Sequence, residues 1–79
     1  MLFLIGITEI PEYCFNYCTK LETLTIPTSV ETIEYGNFFR TPSLKTINYK
    51  GTQEQWNEII IKDNNPDLSR ATINYNYTE

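Results

Sequence analysis

The side chains that could do chemistry in this sequence are two cysteines, three serines and one acidic turn, and the 79 residues include no histidine. Without an imidazole, most general-base, catalytic-triad and zinc arrangements need a carboxylate or a thiol as a substitute. Ser29, Ser43 and Ser69 therefore have no histidine to activate them, and no lysine close in the sequence stands out as another base. The three glycines are scattered, so no glycine-rich phosphate loop is indicated. The sequence predicts a protein that is not an enzyme.

The two cysteines, Cys14 and Cys18, are four residues apart and would share a face only in a helical turn. One interpretation is a disulfide or half of a metal site. The other is that both are small buried residues, since free cysteine packs well in a protein interior. Because structural zinc requires four ligands, we favour two buried cysteines and predict neither a metal nor a cofactor.

The acidic turn, DNNPD at residues 63–67, is the one cluster that suggests calcium. An EF-hand loop beginning there needs glycine at its sixth position and glutamate at its twelfth, where this chain has Leu68 and Asn74. An Asn-Pro turn with solvated charges is the better prediction.

These residues lie in or beside a tandem repeat that must position them. Residues 7–26 and 30–49 align at an offset of 23, with the identities Ile10/Ile33, Phe15/Phe38, Leu21/Leu44 and Thr23/Thr46. A unit of this length cannot bury its own apolar face, so a second unit is expected to stack on the first. The apolar spacing within residues 21–26 and 44–49 predicts two short strands lying side by side.

The repeat resembles the leucine-rich repeat of BspA-type surface proteins. The matching positions in the first unit and the start of the next are Ile10, Cys14, Phe15, Cys18, Leu21, Leu24, Ile26, Pro27, Ser29, Val30 and Ile33. In the second unit Asn37 and Thr41 replace the small residues Cys14 and Cys18, and Glu34 stands where glycine is common. We therefore expect the second turn to be less regular than the first.

The C-terminal segment, with Gly51, Thr52, Gln55 and Trp56, resembles the one that often closes such arrays. Thr52 and Gln55 have the spacing of a capping box, which predicts a helix start. Helical spacing predicts that Trp56, Ile59 and Ile60 face inward. Trp56 is either a platform for a ligand or, as we favour, a plug for the end of the core.

After that helix, the β-branched run at residues 59–61 predicts a brief helix followed by an extended piece. A final strand at residues 71–77 is expected at the C-terminal edge, where Ala71, Ile73, Tyr75 and Tyr77 alternate with Thr72, Asn74 and Asn76.

The predicted fold class is α+β and mostly β: a short leucine-rich-repeat solenoid of about two repeats with a C-terminal helix–strand cap. Residues 1–50 are assigned to the repeats, as an incomplete first unit followed by 7–29 and 30–50, and residues 51–79 to the cap.

The N-terminal MLFLIGI lacks the basic start and length of a signal peptide. Residues 3–7 align with residues 26–30, so this end is expected to belong to a preceding unit. The chain is then either a piece of a longer protein or a free-standing product. As an uncovered apolar edge, residues 1–10 predict a homodimer.

The composition limits the classes of partner that this chain is expected to bind. The formal net charge of −4 speaks against a nucleic-acid or anionic-membrane surface. The resemblance implies adhesion or host-protein binding at a bacterial or protozoan cell surface. The alternative is a small stand-alone acidic inhibitor or adaptor of an intracellular, cytoplasmic partner protein, and a structural spacer is a third class. In the predicted solenoid the outward side chains of the strands are the candidate protein-binding residues: Glu22, Thr23, Thr25, Lys45, Thr46 and Asn48.

Overall fold

The computed structural model describes residues 6–78, which form six short strands, one short α-helix and one 3₁₀ helix. In chain order these are β1 (Glu9–Ile10), β2 (Thr23–Ile26), β3 (Thr32–Ile33), β4 (Thr46–Tyr49), α1 (Gln53–Asn57), β5 (Ile60–Ile61), the 3₁₀ helix (Pro66–Arg70) and β6 (Thr72–Asn74). Strands predominate, and all the pairs they form in the described chain are parallel. The predicted α+β, mostly β class is confirmed.

The strands form two parallel sheets, ordered β1-β3-β5 and β2-β4-β6. Ile10 lies opposite Ile33 and Thr23 lies opposite Thr46, so the predicted 23-residue register is the one in the structure. Each unit contributes one strand to each sheet, and parallel pairing joins it to the next unit. The apolar side of a unit is therefore covered by its neighbour, because a unit this short has no second layer of its own.

The segment assigned to the cap contributes the third strand of both sheets: β5 pairs with β3, and β6 pairs with β4. Helix α1 lies in the connection between β4 and β5. The Thr52 hydroxyl accepts a hydrogen bond from the Gln55 N–H at 3.1 Å, and the Thr52 N–H donates to Gln55 Oε1 at 2.8 Å. The predicted capping box is present, and the helix is brief and gives way to a strand, as predicted. That this segment closes the stack stays a prediction.

The buried apolar residues of the two sheets and their turns form one cluster. At its centre the rings of Phe15 and Phe38 stack, with centroids 5.8 Å apart and planes 13° from parallel. These are the two phenylalanines that the repeat aligned. Trp56 is half-buried and packs edge to face on Tyr49, with ring centroids 5.2 Å apart.

The second turn is held by Asn37, which is fully buried. Its Nδ2 donates to the carbonyls of Ile10, Pro11 and Glu34 at 3.2, 2.8 and 3.0 Å, and its Oδ1 accepts from the Phe15 N–H at 3.2 Å. The polar residue is accommodated in the turn, because every polar atom of its amide has a backbone partner; the expected difference in regularity between the two turns stays a prediction.

The segment after residue 50 is the third unit of the stack, because it adds the third strand to each sheet. Asn65 has the same role there. Its Oδ1 accepts from the Phe38 N–H at 2.7 Å, and its Nδ2 donates to the carbonyls of Glu34 and Lys62 at 3.2 and 2.9 Å. An asparagine side chain thus ties each of the later turns to the backbone of the turn before it. The turn with solvated charges predicted at residues 63–67 is only partly correct, because Pro66 and Asp67 belong to the 3₁₀ helix and Asp67 is half-buried. Asn65 points into the structure rather than to solvent.

The inward set predicted for the C-terminal segment is only partly correct. Ile59 is 8% exposed and belongs to the core, whereas Ile60 is 58% exposed. The prediction for Ile60 was wrong because α1 ends at Asn57, so helical spacing no longer applies three residues later. β5 is instead an edge strand, and both of its residues are exposed.

The final strand is confirmed as β6, paired at the edge of its sheet. Ala71, Ile73 and Tyr75 are half-buried and alternate with exposed neighbours, as the sequence pattern predicted. The predicted unit end at residues 3–7 and the predicted dimer edge at residues 1–10 fall largely on residues 1–5, outside the described residues. Between residues 6 and 78, no helix is long and apolar enough to span a bilayer.

Candidate functional site

The sheet β2-β4-β6 carries the residues predicted to bind a partner. Two columns of polar residues cross it, one residue from each strand: Thr23, Thr46 and Thr72 in the first, and Thr25, Asn48 and Asn74 in the second. Neighbouring strands in such a sheet are about 4.8 Å apart, so the members of a column are immediate neighbours. The register therefore brings four of the six predicted residues together and adds Thr72 and Asn74. We call these two columns, with Glu22 and Lys45, the strand face.

Asn48 differs from its prediction as an outward residue. It is 9% exposed, and its Oδ1 accepts a hydrogen bond from Asn74 Nδ2 at 2.9 Å. Asn74 lies over it at the edge of the sheet and is exposed. The alternating pattern of the last strand placed Asn74 outward, but only the parallel register shows that it extends the same column.

Glu22 and Lys45 are the charged members of the strand face. Both are exposed, and the Lys45 N–H donates to the Glu22 carbonyl at 2.9 Å, which holds the two residues side by side. Among the described residues the one ion pair is Arg70–Asp67, so neither Glu22 nor Lys45 forms a salt bridge there. Their charges are available to a partner.

The cysteines are not the two buried residues predicted. Cys14 is exposed, Cys18 is half-buried against the core, and both thiols are free. Desolvation of the Cys14 thiol, with a smaller contribution from the nearby Cys18, raises the pKa of Cys14 above its usual value. A raised pKa leaves less thiolate, which is the form that attacks substrates and binds metals. Within residues 6–78, no group of three or more metal-ligating side chains comes together.

Two of the three serines have structural roles. Ser43 Oγ donates to the Thr19 carbonyl at 2.7 Å, and Ser69 Oγ donates to the Pro66 carbonyl at 2.9 Å. Both hydroxyls face backbone acceptors rather than a general base, so the structure gives neither one the activation that a nucleophile needs.

Asp67, in the turn that suggested calcium, binds protein groups instead. Its Oδ2 accepts from the Thr41 N–H at 2.7 Å and from the Thr41 hydroxyl at 3.1 Å, and its Oδ1 accepts from Arg70 Nη1 at 2.9 Å. Partial burial alone would raise the pKa of Asp67, but the hydrogen bonds from Thr41 and the charge of Arg70 outweigh it, and the net pKa lies below the usual value. The carboxylate is held as an anion that fastens the third turn to the second.

Sequence reasoning missed a groove of about 740 Å³ that crosses the turns of all three units. Its lining consists of aromatic, proline and charged side chains and one threonine: Tyr17, Phe39, Pro42, Pro66, Arg40, Asp67, Arg70 and Thr19. We call it the turn groove. No local signal points to it, because the first unit supplies Tyr17, the second supplies Phe39 and Arg40, and the third supplies Arg70.

Its aromatic wall is well defined. The rings of Tyr17 and Phe39 meet edge to face, with centroids 5.9 Å apart and planes at 86°. The Arg40 guanidinium carbon lies 5.3 Å from the centroid of the Phe39 ring, within the range of a cation–π contact. Tyr17 and Arg40 both have left-handed backbones, each with φ of 62°.

Comparison with known protein families agrees with this architecture. Residues 3–76 match the family described as BspA type leucine rich repeat region (6 copies). The match includes the segment after residue 50, whose strands form the third row of each sheet. Comparisons with curated proteins and with solved structures found no match. The chain belongs to the BspA-type leucine-rich-repeat family, and membership suggests a protein-interaction module.

Proposed function

We propose that this chain is a protein-binding, non-enzymatic leucine-rich-repeat module: a short solenoid with residues 51–79 as its C-terminal cap, which contacts its partner through the strand face. The observation that carries the proposal is the register of the sheet β2-β4-β6. Its outer columns run through all three units, while the residues between them, such as Leu24 and Ile47, are buried in the core. Apart from Asn48, which is itself buried, side chains in the columns can change without disturbing that core, which is how repeat proteins vary their recognition surface.

In this proposal the partner is a host or matrix protein, and the chain is an adhesive part of a surface protein. Family membership supports this choice, since the repeat resembles that of BspA-type surface proteins. The alternative is a small acidic inhibitor or adaptor that binds a basic intracellular protein. The net charge of −4 favours that second candidate, because an acidic surface is attracted to a basic one.

The test is differential capture. The immobilised chain is compared with a strand-face variant, Glu22→Lys with Lys45→Glu, in cell-surface, serum and cytosolic protein extracts. The matched control, Glu31→Lys with Lys62→Glu, keeps the same net charge and changes exposed residues next to β3 and β5 in the other sheet. Both variants should keep their stability within about 0.5 kcal/mol, as is usual for surface substitutions.

We expect a protein that the wild type and the control retain and the strand-face variant loses. Its presence in the surface or serum fraction supports adhesion, and its presence only in the cytosolic fraction supports the adaptor. Identical captured sets for all three chains would place the binding surface away from the strand face.

A further inference from the structure

The turn groove lies outside the strand face and has a chemical character of its own. Arg40 and Arg70 are the only arginines in a chain of net charge −4, and both line this groove. The one carboxylate in the lining, Asp67, is already bound to Arg70 and Thr41. The groove is therefore locally cationic on a protein that is otherwise acidic.

The two arginines are presented differently. Arg70 is fixed: besides Asp67, its Nη2 donates to the carbonyls of Thr41 and Pro42 at 3.1 and 3.3 Å. Arg40 is exposed, rests on the face of Phe39, and belongs to no ion pair among the described residues. A guanidinium placed in this way can donate hydrogen bonds to a ligand carboxylate without first breaking an internal salt bridge.

Two of the side chains that line the groove stand on backbone positions with an unfavourable conformation. Tyr17 and Arg40 occupy the same place in successive units, and both have a positive φ, which glycine or asparagine adopts more easily. Holding a bulky side chain there has a conformational cost. At this position the two units are joined by a backbone hydrogen bond from the Tyr17 N–H to the Phe39 carbonyl, at 3.0 Å. Neither the ring of Tyr17, 60% exposed, nor the guanidinium of Arg40 is required for that bond.

The groove is open to solvent, and its walls include two aromatic rings and two proline rings, so it fits an extended segment better than a compact one. Segments in the polyproline II conformation dock on aromatic grooves of this kind because their shape is formed before binding. The positive charge of the groove favours a segment that is acidic. We propose that the turn groove binds an extended acidic, proline-containing segment of a partner protein, with a carboxylate on Arg40 and proline rings against Tyr17 and Phe39. This site goes beyond the proposed function and does not depend on the strand face.

The experiment uses a fluorescein-labelled peptide of five Pro-Glu repeats and measures its fluorescence polarisation as the chain is added. Tyr17→Asn and Arg40→Asn remove the ring and the charge, and asparagine tolerates the left-handed backbone, so both variants should fold. Tyr13→Asn is the matched control for the ring, because Tyr13 also has a positive φ (60°) and is exposed but does not line the groove. Lys62→Gln is the control for the charge, because Lys62 is exposed next to β5 and belongs to neither the turn groove nor the strand face.

We expect saturable binding by the wild type and both controls, and about tenfold weaker binding by Tyr17→Asn and by Arg40→Asn, the usual effect of losing a charged hydrogen bond or an aromatic contact. A peptide of five Pro-Gln repeats should also bind about tenfold more weakly. Chemical shifts in the ¹⁵N spectrum should move at Tyr17, Phe39 and Arg40 rather than at Thr23 and Thr46. These shifts test the location even if a variant unfolds.

Three outcomes would overturn the proposal: no saturable binding of the Pro-Glu peptide, equal affinity for the two peptides, or shifts confined to the strand face. Polygalacturonate is the comparison ligand. If it bound in the groove and the peptide did not, the site would be one for acidic polysaccharides instead. None of these results bears on differential capture by the strand face, so the two proposals fail separately.

Discussion

Asn37 shows at the scale of one residue how the units are joined. Four backbone groups, three of them from the preceding unit, find their partners in this single buried amide. An alanine would leave the buried Phe15 N–H without a partner, which costs about 1–3 kcal/mol, and would remove one hydrogen bond from each of the three carbonyls, which keep one other donor each. We predict that Asn37→Ala lowers the free energy of unfolding by about 2–4 kcal/mol.

Urea titration followed by circular dichroism measures this change, with Asn57→Ala as the control. Asn57 is exposed at the end of α1, so its replacement should change stability by less than about 0.5 kcal/mol. Equal effects of the two substitutions would mean that the Asn37 amide does not hold the turns together.

Asp67 gives the fold a dependence on pH with a definite sign. Because its pKa is lowered in the folded state, its contribution is present above the unfolded pKa of about 3.9 and is lost as pH falls through the folded pKa. We predict that Asp67→Asn is about 1–2 kcal/mol less stable than wild type near neutral pH, since it loses charged hydrogen bonds. This deficit should shrink at pH values below about 4.

Thermal unfolding of both proteins across this pH range is the measurement. A deficit that stays constant down to about pH 2.5 would contradict a role for the charge of Asp67, because protonation would then have no effect.

At the scale of single residues, the sequence predicted the positions of the apolar core residues. It did not predict the roles of polar residues whose partners lie far away in the chain. Ile10/Ile33 and Phe15/Phe38 were paired correctly because like residues recur where units stack. The function of Asn37 could not be predicted, since its partners in the first unit lie more than 20 residues away. From local sequence alone, it was only a departure from the repeat pattern.

At the scale of elements, β5 shows where the helical pattern ends. Ile59 is buried and Ile60 is exposed, although both were predicted to face inward. We predict that Ile59→Ala costs about 2–4 kcal/mol, as is usual for truncating a buried isoleucine, whereas Ile60→Ala changes stability by less than about 0.5 kcal/mol.

The two substitutions make identical chemical changes at adjacent positions, so their difference reports burial alone. Chemical denaturation of the two variants supplies both values. Similar losses would show that the segment after α1 continues as a helix and that Ile60 faces the core.

Element boundaries were harder to predict from the sequence for a physical reason. The capping box fixed the start of α1, because Thr52 and Gln55 satisfy each other within four residues. Nothing equally local marks its end. The chain leaves the helix at Asn57 because β5 pairs with β3, whose sequence lies more than 25 residues earlier.

At the scale of the whole molecule, stacking produces surfaces that no single unit contains. The strand face takes one residue per column from each unit, and its columns were largely predictable once the 23-residue register was known. The turn groove also draws on three units, but it was not predictable, because Tyr17, Arg40 and Arg70 share no motif and meet only after the turns are stacked. The homodimer expected through residues 1–10 stays a prediction.

The central claim is that three units stack in parallel and in this register, since both candidate surfaces depend on it. Nuclear Overhauser contacts in the isolated chain test it most directly, because neighbouring strands about 4.8 Å apart bring facing methyl groups within range. We predict contacts from the Thr23 methyl to the Thr46 methyl, and from the Thr46 methyl to the Thr72 methyl. Contacts confined within single units, or a pattern that pairs these strands antiparallel, would contradict it.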